Sequence, residues 1–301
     1  MAFEYLITHE TRYRYANPVT FGEHRAMFLP RPQAHGLLKR FSVNTSPPAR
    51  VSWVTDALSN NVTVLEFDEG GTELAITFEF RGIHLGVGGL VSSPVLDRAA
   101  ELPVQYTPDE WADLAMYLQP QAPDAEGLVA DVARRLVAFE KNLTVDVIQR
   151  LMKEIYTRLT YQSREAEGTQ TPTETLKTKS GTCRDYAWLM IEILRRLGLA
   201  CRFVSGYLYD ASLDGGEVGA TGSGATHAWA QVFLPGAGWL NFDPTNRIDA
   251  GFDLIPVAVA RHPAQAVPLT GSWFGGANDY QGMTVAVTIT KLASLPDPTA
   301  G

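Results

Sequence analysis

The run CRDYAWLMIEILRRL, residues 183–197, restricts the fold more than any other stretch of this chain. Its periodicity predicts a helix, and Gly198 stands where that helix has to stop. Glycine there takes the left-handed turn that satisfies the last helical carbonyls. A surface helix carries one apolar stripe, but this one is apolar on most sides and needs cover on most sides. The chain must therefore wrap other elements around it. With 45% hydrophobic and 19% charged residues over 301 positions, it has the material for such a core.

The character of the sequence changes on the way to that helix. Over the first hundred residues, Tyr5–Tyr15, Phe41–Val43, Ala49–Val54, Val62–Phe67 and Glu73–Phe80 show strand alternation or β-branched and aromatic enrichment. Leu74, Ile76, Phe78 and Phe80 share one face. The turn signals NPV, RPQ, SPP, LSNN and DEGG fall between these runs. TPDE at 107–110 then reads as a helix start, with Thr107 as N-cap, Pro108 at the first helical position and Glu110 closing a capping box. Helices are expected at about 108–118, 126–140 and 145–159. TPTE at 171–174 repeats the start signal ahead of a short helix.

Strand-like runs follow the buried helix at Cys201–Tyr209, His227–Leu234, Trp239–Phe242 and Thr284–Thr290. Between the first two lies ASLDGGEVGATGSGA, with five glycines in fifteen residues. It reads as a loop at a site entrance or as a passive insertion. Strands, then helices, then strands make the fold class α+β. A boundary near residues 100–106 gives an N-terminal β-sandwich-like domain, 1–103, and a helix-on-antiparallel-sheet core, 104–301, whose C-terminal strands return to an earlier sheet.

Charge and cysteine usage narrow the function classes. A net charge of −8 argues against nucleic acid, whose binders show a basic excess or face. No run approaches the ~18 apolar residues of a membrane span, and MAFEYLITHETRYRY lacks the features of a secretion signal. No membrane partner is expected. Two cysteines build no disulfide framework, so a reduced, cytoplasmic protein is expected. Cys183, Cys201 and His227 lack metal-ligand spacing, and GGEVGATGSG lacks the Lys-Ser/Thr and helix start of a phosphate loop. Neither metal nor cofactor is expected.

Cys183 carries the chemical question. Thr182 as N-cap and Asp185 three residues on would place it in the first turn of the buried helix. Unpaired N–H groups and the helix dipole there favour a thiolate, the nucleophilic form, and could also face an oxyanion. A buried packing cysteine is the competing reading. A nucleophile needs a base, and THAWAQVFLPGAGWLNFDPTN reads as a hairpin that supplies one. His227, Trp229, Gln231 and Phe233 share a face, as do Trp239, Asn241 and Asp243. If Phe233 pairs with Trp239, Asp243 falls opposite Trp229 and diagonal to His227, within reach of its imidazole. Nucleophile, base and orienting carboxylate are then all available.

These segments together resemble the transglutaminase-like superfamily. Its bacterial members carry Gly-x-Cys-x-Asp, Arg-x-Val-Ser-Gly-Tyr, His-Ala-Trp and Gly-Trp…Asp-Pro-Thr-Asn. The chain has Gly181/Cys183/Asp185, Arg202–Tyr207, His227–Trp229 and Gly238–Asn246 in that order. YLITHETRYRYANPVTFGEHRAMFLPRP and TDALSNNV are similar to the bacterial transglutaminase-like N-terminal region, and IPVAVARHPAQAVPLTGSW to the C-terminal segment. Where relatives tend to show Gly-Arg-Asp-Tyr, this chain has Ala260-Arg261-His262-Pro263.

The resemblance implies a papain-like triad of Cys183, His227 and Asp243. It also implies an oxyanion site built from the Cys183 backbone N–H and an upstream side chain, for which Tyr161 is the candidate. Asp185 reads as a helix cap and Cys201 as packing. The implied activity is thiol-dependent acyl transfer or amide hydrolysis on a protein or peptide, as a cysteine peptidase, an amidase or a cross-linking transglutaminase. A non-catalytic scaffold with a relict triad is the alternative. The glycine-rich loop, with Gly215, Gly216, Gly222 and Gly224, would control access. The oligomeric state is left open.

Overall fold

The computed structural model describes residues 2–31, 37–84, 94–164, 168–209, 226–248 and 253–295. Strand β1 is Ala2–Ala26, followed by β2, Leu38–Ser46, β3, Ala49–Thr55, β4, Asn61–Phe67, and β5, Gly71–His84. A short helix α1, Asp97–Ala100, leads to α2, Pro108–Leu118, α3, Leu128–Leu136, and α4, Thr144–Arg158. Two-residue β6, Thr160–Tyr161, precedes α5, Pro172–Thr178, and two-residue β7, Ser180–Gly181. The central helix α6, Cys183–Arg196, leads into β8, Cys201–Leu208, β9, Thr226–Leu234, β10, Gly238–Phe242, and β11, Leu254–Ala260. Strands β12, Leu269–Phe274, and β13, Tyr280–Leu295, close the chain.

The first sheet is a seven-stranded, antiparallel sheet curled on itself, so that its two halves face each other as the layers of a sandwich do. Its path is β2-β5-β1-β4-β3, with β12 and β13 also paired to β1. The 25-residue β1 serves both halves: residues 3–14 run against β5, and residues 24–26 against β4. The NPV turn signal was expected to end a strand, but the chain does not reverse there. The ladder only shifts register between Arg14 and Val19, where Asn17 Nδ2 donates to Asp279 Oδ1 at 2.8 Å. A proline inside a strand is tolerated at such an irregularity because it owes the ladder no N–H. Leu65, Leu74, Ile76, Phe78 and Phe28 fill the space between the two halves.

The second sheet is four-stranded and antiparallel, β10-β9-β8-β11. Helix α6 lies on it, and α3, α4 and α5 pack around α6. Tyr186, Leu189, Met190, Ile191, Ile193 and Leu194 are all buried, as the sequence of this helix requires. Each such aliphatic side chain contributes roughly 1.5–3 kcal/mol on leaving water, so the helix is held by its surroundings rather than by propensity. Both TPDE and TPTE form complete capping boxes. The expected 126–140 helix is shorter, because Gly127 at φ 70° sits outside it as N-cap and Val137 ends it. No described helix is long and apolar enough to cross a membrane.

The two sheets also touch. Tyr5, Ile7, Phe80 and Val287 pack on Tyr207, Ile255 and Val257. Asn60 pairs with both backbone groups of Val259, at 2.9 and 2.8 Å.

Candidate active site

Three elements bring the chemistry together. Helix α6 presents Cys183 in its first turn, β9 carries His227 near its start, and Asp243 follows the last residue of β10. The hairpin register is the one that brings base and carboxylate together: Trp239 pairs with Phe233, Asn241 with Gln231 and Phe242 with Ala230. His227 Nε2 lies 2.9 Å from Asp243 Oδ2, and both side chains are fully buried.

Asp243 is held on both oxygens. Thr245 N donates to Oδ1 at 2.8 Å and Asn246 Nδ2 to Oδ2 at 2.9 Å. Burial alone would raise this carboxyl, but His227, Asn246 and the Thr245 amide together keep it below the usual range. The same balance acts on His227. Burial works against its positive charge, yet the Asp243 carboxylate and the Cys183 sulfur outweigh that and raise its pKa to about 10. With Nε2 committed to Asp243, Nδ1 is the nitrogen left for the thiol. The sulfur is close enough to act on the imidazole, but Nδ1 has no aligned hydrogen bond at rest. Loose resting geometry of this kind is common before substrate tightens it.

The positions around the pair are shaped for it. Gly206 on β8 lies directly opposite His227. A Cβ there would come within 2.2 Å of the Ile255 carbonyl and 2.7 Å of Trp229, so the Ser-Gly-Tyr glycine is a packing requirement. Trp229 stacks beside His227 with ring centres 6.1 Å apart and donates Nε1–H to Asn241 Oδ1 at 2.8 Å. Gln231 Nε2 donates to the same oxygen at 2.8 Å.

Asp185 does more than cap a helix. It accepts from the backbone N–H of Thr182 and Gln170, at 2.8 and 2.7 Å, and forms a two-pronged pair with Arg164 at 2.8 and 3.1 Å. The start of α6 is thus tied to the segment ahead of α5. Nothing in the spacing of Arg164, 21 positions upstream, marks it as the partner. Tyr161 belongs to β6, which pairs in parallel with β7 so that Tyr161 stands beside Gly181, two residues before Cys183. Its ring meets Tyr186 edge-on at 6.3 Å. Burial, and then the nearby Cys183 sulfur, push its hydroxyl up to about 12, so it stays protonated.

The other singled-out residues lie apart. Cys201 is fully buried in the core around α6, and burial pushes its thiol up. In the segment Ala260–Pro263, His262 meets Trp188 edge-on at 4.9 Å and the Arg261 carbonyl accepts from Arg195 Nη2 at 2.8 Å. This segment braces the middle and far end of α6 rather than the thiol. Gly215, Gly216, Gly222 and Gly224 lie outside the described residues. A cavity of about 310 Å³ between α3, α4, α5 and α6 is lined by none of the three site residues. Among the described residues no cluster of three His, Cys, Asp or Glu side chains could hold a metal ion.

A cysteine at the start of a buried helix, facing a His–Asp pair on an antiparallel sheet, is a papain-like layout. The profile of the transglutaminase-like superfamily matches residues 130–244, and that of the bacterial transglutaminase-like N-terminal region matches residues 5–81. The chain belongs to the transglutaminase-like superfamily. An uncharacterised protein of Mycobacterium leprae is 29% identical over 300 residues, covering 95% of this chain and 98% of that one. One from Mycobacterium tuberculosis is 31% identical over 283 residues, covering 89% and 86%. The fold is shared with a solved structure of a proposed cysteine protease from Cytophaga hutchinsonii, with TM-score 0.71, 17% identity and 98% and 93% of the two chains covered. A protein-glutamine gamma-glutamyltransferase of Pseudomonas aeruginosa matches locally, 36% identical over 77 residues, which is 24% of this chain and 11% of that one.

Proposed function

We propose that the protein is a thiol-dependent enzyme that cleaves or transfers the acyl group of a carboxamide or peptide bond through a thioester. The observation that carries this reading is the buried His227–Asp243 pair, 2.9 Å apart, with the Cys183 sulfur acting on the same imidazole. His227 Nδ1 takes the thiol proton as Cys183 attacks, and Asp243 stabilises the imidazolium through Nε2–H. The Cys183 sulfur attacks the carbonyl carbon, and its electron pair moves to the carbonyl oxygen. The Cys183 backbone N–H at the helix start and the protonated Tyr161 hydroxyl receive that oxyanion. The intermediate collapses as His227 Nδ1 gives its proton to the leaving amine, which forms the thioester. Water or a second amine then attacks the thioester carbonyl, returns a proton to Nδ1 and releases the thiolate.

Hydrolysis of a peptide or side-chain amide is the first reading. The two cysteines are free and buried, which fits a reducing, cytoplasmic setting. Transamidation is the second, favoured by the local match to a gamma-glutamyltransferase. Incubation with a glutaminyl peptide and a labelled primary amine, read by mass spectrometry, separates them. Hydrolysed product without label supports the first reading, and incorporated label supports the second. If Cys183→Ala left every product unchanged, both would fall and the scaffold reading would take their place.

A further inference from the structure

The cavity of about 310 Å³ between α3, α4, α5 and α6 has an ordered lining. Leu151 on α4 and Leu189 and Ile193 on α6 belong to it, and all three are fully buried. Three helices add the same pattern: an apolar side chain, then a cation three residues on. The pairs are Val132 and Arg135 on α3, Ile155 and Arg158 on α4, and Leu176 and Lys179 at the end of α5. Residues three apart share one face of a helix, about a turn apart. Val132 and Ile155 are buried and Leu176 half-buried, while all three cations are exposed. The hollow is therefore apolar within and basic at its mouth.

The mouth carries more positive charge than its own acids cover. Arg135 Nη2 and Arg158 Nη1 both reach Glu154 Oε1, at 3.2 and 2.8 Å, so two guanidiniums share one carboxylate. Lys179 has no ion pair among the described residues. A cation in the last turn of a helix favours the negative end of the helix dipole. That accounts for each cation singly, but not for three helices turning theirs to one hollow in a chain of net charge −8. Lys179 also holds a left-handed backbone, φ 52°, at a helix end where glycine or asparagine is the ordinary occupant. The lysine stands there at a conformational cost that glycine would not carry.

We infer that this cavity binds a small amphipathic acid, a carboxylate on a short unbranched hydrocarbon tail, with the head at the mouth. About 310 Å³ lies at the lower end of small-molecule sites, roughly 300–1,000 Å³. At roughly 30 Å³ for each water-sized group it holds about ten non-hydrogen atoms, the size of octanoate and too little for a peptide segment. The tail takes the place of water against Leu151, Leu189 and Ile193. Each guanidinium has five N–H donors, so Arg135 and Arg158 can keep Glu154 and still meet a second carboxylate. The ammonium of Lys179 completes the head site. None of Cys183, His227 and Asp243 lines the cavity, so the inference stands apart from the chemistry proposed for the thiol.

The test is calorimetric titration of the full chain with sodium octanoate. The expected result is saturable one-to-one binding with Kd between about 0.1 and 1 mM, an ordinary affinity for ten atoms. Octan-1-ol and octylamine, with the same tail and no negative charge, are expected to bind at least about tenfold more weakly. Lys179→Gly suits the left-handed backbone and should keep the fold, and it and Arg158→Gln are each expected to weaken octanoate about fivefold or more. Lys177→Gln, which removes the ion pair with Glu126 outside the cavity, should leave Kd unchanged. No saturable binding up to about 5 mM octanoate would overturn the inference. So would binding that octylamine or octan-1-ol matches, or that both cavity variants leave as in the wild type. If Arg158→Gln fails to fold by circular dichroism, Lys179→Gly decides alone, and an unchanged Kd in it counts against the site.

Discussion

Replacing Asp243 by Asn tests the site most directly, because it changes a charge and a donor pattern while keeping the shape. In the wild type, Oδ2 accepts from both His227 Nε2 and Asn246 Nδ2, and Oδ1 accepts from Thr245 N. An asparagine that keeps its oxygen on Thr245 must turn its NH₂ toward two other donors. The imidazole can relieve its share only by taking the tautomer protonated on Nδ1, the nitrogen that should receive the thiol proton. The Asp243 charge, the largest influence raising His227, is also gone, so burial should bring the imidazole pKa down and weaken its hold on the thiol proton. A wrong tautomer in a comparable triad costs about 10⁴ in turnover. Removing one partner of a buried pair costs roughly 3–5 kcal/mol of stability. The assay needs no substrate: alkylation of Cys183 by iodoacetamide is followed against pH, with denaturant melts alongside. The wild type should react readily at pH 6, with the imidazolium persisting until about pH 10. Asp243→Asn should lose the reactivity at pH 6 and keep only an alkaline rise. An unchanged pH profile in a folded Asp243→Asn variant would refute the pairing.

Two further substitutions probe the frame around the site. Gly206→Ala drives a methyl into the Ile255 carbonyl and Trp229, and overpacking of this kind costs about 1–3 kcal/mol. Because Gly206 lies opposite His227, alkylation of Cys183 at pH 6 should fall more than the melting temperature suggests. Arg164→Ala removes the ion pair from a fully buried Asp185 carboxylate. Burial raises that carboxyl, while Arg164 and the Thr182 and Gln170 amides more than offset it and hold it low. A lowered carboxyl contributes stability that is present above its unfolded pKa and lost as pH falls through its folded value. The variant should therefore unfold at a higher pH during acid titration, read by circular dichroism, while its stability loss at pH 7 stays within the 3–5 kcal/mol of a broken buried pair.

Much of this site was legible because it depends on local rules. The capping boxes at Thr107 and Thr171 follow from four-residue patterns, and the burial of α6 follows from its all-round apolar surface. The meeting of His227 and Asp243 follows from strand parity once Phe233 faces Trp239. What stayed hidden depends on contacts between distant segments. Arg164 reaches Asp185 only because β6 runs parallel to β7, and parallel pairs of two residues carry no periodic signal. The strand through Asn17 and Pro18 reads as a turn because the partner that accommodates it, Asp279, lies 262 positions away.

Long-range contacts also join the first hundred residues to the sheet that carries His227, and a truncation to residues 104–301 tests how far the site depends on them. β8 is shared by both halves of the molecule. Toward α6 it gives Phe203, and opposite His227 it gives Gly206. Toward the first sheet it gives Tyr207, whose hydroxyl lies 3.0 Å from His9 Nδ1 and 3.2 Å from the Phe28 carbonyl. Truncation exposes Tyr207, Ile255 and Val257 together and leaves β12 and β13 without β1. At roughly 1.5–3 kcal/mol for each apolar side chain, the three alone lose about 5–9 kcal/mol. That is comparable to the whole stability of an ordinary domain. Residues 104–301 should therefore show no cooperative melt and no Cys183 alkylation at pH 6. A truncated chain that melts cooperatively and keeps that reactivity would mean that the second sheet holds His227 in place without the first.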